Sequence, residues 1–433
     1  MLLNQNKYLL IVYYYYLLLV IINKKNKTIL LTMKKLLISV FLILPFLSIS
    51  QGRNIQTREY LDTTSVVFQD IYQLWKSYGD DMWSNHFIQT NFDTKKYWAE
   101  SEIEEYGDSY NLHQLFAPNY FIFKEFFIGI NNRNDTLYEL QTAYYSDYGT
   151  PYNLCYVITI PVIKTKEGYK FINKFSLNKK NLKKKRIDFI EFYYPKDYPL
   201  DKKQVKKTIE KVESFAKNIG IKEIKPIKYY IDNTYTDILH SFGITTALGD
   251  YCIADKLANE GRSEFRSRLI CYTKGGENTS HEILHILVHD IRNNNSYCFF
   301  DEGVCSYFGE MNSLPYSFQI KKLKTFLNNN PKVNLSQDLT NAYKISKNQY
   351  TSDTTGQENN MKFWMTGDST NYSYIIMATI CDIAFRQGGY DKVKQMILNS
   401  EDGEAMYGVI EKHLGIKRDD IDFFIRDFLN KNY

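Results

Sequence analysis

From residue 51 onward the hydrophobic rhythm of the chain changes twice. Apolar positions between Val66 and Tyr78 recur at helical spacing. After them come runs rich in aromatic and β-branched residues: Tyr120 to Ile130, Leu137 to Tyr145, Cys155 to Ile163, Tyr169 to Phe175 and Ile187 to Tyr194. Turn formers separate these runs, among them Asn131-Asn132, Gly149-Thr150-Pro151 and Glu167-Gly168. One helix followed by a curved antiparallel sheet predicts a small α+β domain over 51–195, cystatin-like or NTF2-like in shape. Pro195 to Pro199 reads as a linker.

Beyond residue 200 the helical period returns. Asp201 is placed to cap a helix whose apolar stripe is Val205, Ile209, Val212, Ala216 and Ile219, and Gly220 stops it. Short strands are expected at Ile227 to Ile231 and at Arg268 to Tyr272, the latter ended by Gly275-Gly276. Helices are expected over 280–292, 302–311, 372–387, 391–398 and 418–430. The polar stretch Lys347 to Asn360 reads as a flexible loop. The fold class is therefore α+β: a small sheet domain, then a helix-rich domain over 200–433.

The first fifty residues belong to neither domain. Met33-Lys34-Lys35, the apolar stretch Leu36 to Leu47, and Ser48-Ile49-Ser50 match the three regions of a secretory signal, with cleavage before Gln51. Met33 then reads as the start of translation. Tyr8 to Ile22 is a second apolar run, shorter than the ~20 residues that cross a bilayer. Its rival reading is a membrane anchor. The expected location is outside the cytoplasm, periplasmic or extracellular, with membrane contact only if that segment is kept. Residues 1–50 hold six lysines and no acid, so removing them takes the formal charge from +5 to −1. Such a chain does not call for nucleic acid. The basic run Lys179 to Arg186, with Lys202, Lys203, Lys206 and Lys207, reads as a solvated turn and helix face. Export would permit disulfides among Cys155, Cys252, Cys271, Cys298, Cys305 and Cys381, but their spacing favours neither bridges nor buried thiols.

The candidate chemistry lies in one string, SHEILHILVHDIRNNNSYCFFDEGVCSYFGE, from Ser280 to Glu310. His281 and His285 are four apart on one predicted helix, about 6 Å apart along its axis and on the same face. Two imidazoles so placed can reach one metal ion. Glu282, rotated about 100° away, suits a proton acceptor rather than a ligand. A third ligand must come from elsewhere. His289 lies two turns from His281, about 12 Å along the axis, too far for a straight helix. Glu302 fits better: the loop 293–300 turns the chain back, Gly303 permits close approach, and Asp301 could orient a histidine ring. The competing structural reading is a capping box, Thr279-x-x-Glu282, on a helix with two core histidines. His86, His113, His240 and His413 have no metal spacing.

HEILH followed by DEGVCSYFGE resembles the gluzincin metallopeptidases, the clan of thermolysin and the zinc aminopeptidases, over roughly Lys225 to Tyr433. The resemblance implies one zinc held by His281, His285 and Glu302, with Glu282 as general base and a peptide or protein as substrate. It also implies that Arg268 to Tyr272 is the sheet edge that pairs with extended substrate. Cys305 stands where the family commonly has alanine, and no G-x-M-E-N string precedes the helix. The family often takes an oxyanion donor from a later helix. Gly388-Gly389-Tyr390-Asp391-Lys392 resembles the end of that helix, and counting back about four turns reaches Tyr374, with Tyr372 two residues upstream. The alternative is a silent peptidase-like binding protein with a structural zinc.

Overall fold

A computed structural model describes residues 56–57, 63–88, 93–107, 111–115, 123–146, 153–247, 262–264, 267–278, 280–292, 298–311, 314–336, 339, 372–401 and 404–433. The leader and the segment Lys347 to Asn360 lie outside the described residues. No helix among the described residues is long and apolar enough to cross a membrane. The chain divides into two compact units. The smaller comprises 1–56 and 72–92; its described part is most of helix α1 (Val66–Ile88), where the Trp75 and Tyr78 rings lie 5.6 Å apart. The larger comprises 57–71 and 93–433 and carries everything below.

The larger unit is α+β, built on two sheets. The first is antiparallel: β1 (Lys124–Asn134), β2 (Leu137–Ser146), β3 (Asn153–Thr165) and β4 (Gly168–Phe171) follow in order. Helix α2 (Glu100–Tyr106) precedes it and α3 (Lys174–Asn178) follows. The run expected as a strand over Tyr169 to Phe175 therefore ends early. Glu102 of α2 accepts hydrogen bonds from Asn173 and Ser176, which turns the chain there.

The second sheet is mixed. Its strands are β5 (Lys183–Ile187), β6 (Ile190–Tyr194), β7 (Ile227–Asp232), β9 (Arg262–Glu264) and β10 (Leu269–Thr273), in spatial order β9-β10-β7-β6-β5. The three central strands run parallel, and each edge strand is antiparallel to its neighbour. Between β6 and β7 runs α4 (Lys202–Ile219), as the pattern predicts. Asp201 caps it by accepting from the Lys203 and Gln204 amides, and Gly220 closes it with a left-handed φ of 86°. Helix α5 (Tyr235–Ser241) leads into β8 (Ile244–Ala247), which pairs with β3 of the first sheet.

The break expected between 195 and 200 thus falls between two paired strands of one sheet. The Pro195 to Pro199 stretch is fastened as well: the buried Tyr198 hydroxyl donates to the Glu277 carboxylate at 2.9 Å. Of the basic run Lys179 to Arg186, residues 183–186 form the edge strand β5 rather than a turn, whereas Lys202, Lys203, Lys206 and Lys207 lie on the exposed face of α4 as expected. Four cations on β5 keep a sheet edge from recruiting another strand.

Helices cover the second sheet: α6 (His281–Arg292), α7 (Phe299–Phe308), α8 (Tyr316–Asn329), α9 (Tyr372–Asn399), α10 (Glu404–Leu414) and α11 (Ile421–Asn432). Between α7 and α8 lies a short hairpin, β11 (Glu310–Met311) with β12 (Leu314–Pro315). Helix α9 is broken at Gly388 and Gly389, where two separate helices were expected; Gly389 has φ 60°. One continuous core joins these elements, including Phe192, Val212, Tyr229, Ile283, Leu287, Val304, Ile376 and Ile425. Helix α7 packs on α9 at Gly303, where a Cβ would come 2.4 Å from the Met377 carbonyl oxygen. The glycine before which Glu302 stands therefore serves contact with α9.

Candidate metal centre

Helix α6 begins at His281 and buries Ile283, Leu284, Ile286, Leu287 and Val288 in the core. That apolar set orients the helix and turns His281 and His285 to the α7 side. Their rings are 4.8 Å apart at 77°, and their Nε2 atoms are 3.1 Å apart. From α7, Glu302 brings Oε2 to 3.4 Å from His281 Nε2 and 3.5 Å from His285 Nε2. Among the described residues these three form the cluster able to hold a metal; His289 does not join it.

The donor triangle fits a tetrahedral ion. Zinc bonds of 2.0–2.1 Å place tetrahedral ligands about 3.3–3.4 Å from one another. The three edges, 3.1, 3.4 and 3.5 Å, bracket that value. Two imidazoles and one carboxylate also match the ligand set of a catalytic zinc, which keeps a fourth position open.

Electrostatics favour a cation at the same point. Burial alone would raise the Glu302 carboxyl, but the His285 charge and hydrogen bonds from both imidazoles hold it well below the usual carboxylate range. Burial pushes His285 down, yet the facing Cys305 and Glu302 side chains bring it well above an ordinary histidine. A bound cation would meet a buried carboxylate and two imidazole nitrogens at that point.

The residues around the triangle differ from the sequence reading. Asp301 does not take a histidine as its partner. It receives the Arg292 guanidinium at 2.8 and 2.5 Å and accepts from the Cys298 amide at 3.0 Å, capping α7. Arg292, the last residue of α6, also donates to the Ile397 carbonyl and the Ser400 hydroxyl. Its side chain is 2% exposed and that of Asp301 6%. This clamp joins the end of the histidine helix to the residue beside Glu302. The signal for it was a basic residue in the last turn of α6 and an acid just before the third donor. Cys305, one turn after Glu302, is fully buried, and burial pushes its thiol up to about 12.

Glu282 is half-buried and stands apart from the three donors. Its charge adds to burial in raising the Cys271 thiol on β10 and the Tyr229 hydroxyl on β7. Thr279, the expected cap, lies outside the described residues. Strand β10 is not the sheet edge: all five residues are buried and β9 covers its outer side. The outer strand is β9. Tyr372 is buried, its ring 4.5 Å from that of Phe326, whereas Tyr374 is half-buried and packed against the core.

No protein-family model matches this sequence, and no curated protein matches it.

Proposed function

We propose that the protein is an exported zinc metallopeptidase of gluzincin type. The observation that supports this most is the donor triangle of His281, His285 and Glu302, with Glu282 adjacent on the same helix. A zinc ion held there would polarise the scissile carbonyl and acidify a water molecule. Glu282 takes the proton of that water as its oxygen bonds to the carbonyl carbon. It then delivers the proton to the nitrogen as the C–N bond breaks, releasing acid and amine. Tyr374 is the proposed donor to the carbonyl oxygen as charge grows on it.

A structural zinc in a silent binding protein is the other reading. Structural sites are closed by four protein ligands, and three donors converge here. Glu282→Gln separates the two. The amide is close in shape and cannot accept a proton. The variant should keep zinc and fold but lose at least about 10²-fold of peptide hydrolysis, read by digestion of a peptide library. Hydrolysis at the wild-type rate would exclude Glu282 as the base.

A further inference from the structure

The donor triangle spans α6 and α7, and the two helices meet at both ends. At one end Arg292, the last residue of α6, holds Asp301 in the first turn of α7 at 2.8 Å. At the other end Gly309, the residue after α7, lies against the first residue of α6. A Cβ built on Gly309 would stand 3.0 Å from His281 Cα, 3.1 Å from His281 N and 2.4 Å from the Cys305 carbonyl oxygen. Its φ of −92° and ψ of −163° are extended values that any residue adopts, so glycine serves here for space alone.

The backbone is held on both sides of that contact. The Gly309 amide donates to the Cys305 carbonyl at 2.8 Å, which fixes the end of α7. Glu310, the next residue, pairs with Lys211 of α4 at 3.1 Å. A side chain at 309 must therefore push His281 away or open the end of α7. Relief of the contact takes the His281 Cα from 3.0 to at least 3.4 Å. A zinc site holds its ligand distances to within about 0.2 Å, so this displacement exceeds what the triangle allows.

We infer that Gly309 is a positioning residue: its missing side chain lets the end of α7 seat on the His281 backbone, and so sets how far His281 Nε2 stands from Glu302 Oε2. The inference rests on the zinc reading above. Arg292 with Asp301 fastens one end of the helix pair, and Gly309 on His281 fastens the other.

Zinc affinity of the full chain, measured by competition with a colorimetric chelator, tests this in wild type, Gly309→Ala and Leu429→Ala. Gly309→Ala should bind zinc about 10- to 100-fold more weakly than wild type, and its cobalt form should show visible d–d bands shifted from those of wild type. Leu429→Ala removes core packing on α11. It should lose stability in urea while keeping wild-type affinity and cobalt bands. A general packing role would make the two variants alike. Equal loss in both, or wild-type affinity in Gly309→Ala, overturns the inference. Should Gly309→Ala not fold, Glu310→Ala reads the same end of α7. It breaks the pair with Lys211 at little cost to the fold and should weaken zinc about 2- to 5-fold; unchanged affinity there also overturns the inference. Wild type that binds no zinc would sink the metal reading and this inference together. Wild type that binds zinc while Gly309→Ala matches it would sink only the role of Gly309.

Discussion

Three donor atoms within 3.5 Å of one another place three demands on single residues, and each demand was visible in the sequence to a different degree. His281 and His285 were fully legible, because a helix fixes where i and i+4 point. Glu302 required a guess that the chain turns back, and the distance argument against His289 made that guess a narrow one. Tyr374 stays a proposal with its own test. Tyr374→Phe removes only a hydroxyl from a half-buried ring, so stability should barely change. Loss of an oxyanion donor should lower kcat about 10²-fold with zinc retained. A drop in Tyr372→Phe instead would move the role upstream, against the buried packing of Tyr372 on Phe326. The partner of Asp301 was not legible. A carboxylate in that position can serve a histidine or an arginine, and which one arrives depends on where α6 ends in space.

At the scale of elements, the site depends on holding α6 and α7 at one spacing. The Arg292–Asp301 pair is a buried clamp between them, with the carboxylate also capping α7. Removing one partner of a buried pair leaves the other charge without compensation. Arg292→Ala should therefore destabilise the fold by about 3–5 kcal/mol, read as a lowered midpoint in urea, and should weaken zinc binding because Glu302 loses its support. Unchanged stability and affinity would show that this pair does not set the spacing. Helix α4 and the break at Gly388-Gly389 were legible because caps, glycines and the 3.6 period agree there. Strand β5 was not. A run of lysine and arginine carries no alternation, and only its pairing with β6, with Lys184 3.0 Å from Glu191, makes it a strand. The misplaced sheet edge has a similar cause: Arg262 to Glu264 is three residues long and too short to show a period.

For the whole molecule, the α+β class was legible but the division of the chain was not. A composition change near Pro195 looks like a boundary, yet β6 pairs with β7 across it and β8 returns to the first sheet. Such pairings join residues far apart in sequence, and no local pattern records them. The leader sets a further prediction at this scale. Protein from the native host should begin at Gln51 by N-terminal sequencing and be found outside the cytoplasm; a membrane fraction beginning at Met1 would support the anchor instead. The proposed chemistry stands or falls with His281, His285 and Glu302 holding one zinc per chain. Metal analysis of the purified protein beside Glu302→Ala and His289→Ala tests it most directly. One zinc is expected in wild type and in His289→Ala, and little in Glu302→Ala, since losing one of three ligands removes much of the affinity. Full zinc in Glu302→Ala, or none in wild type, would contradict it.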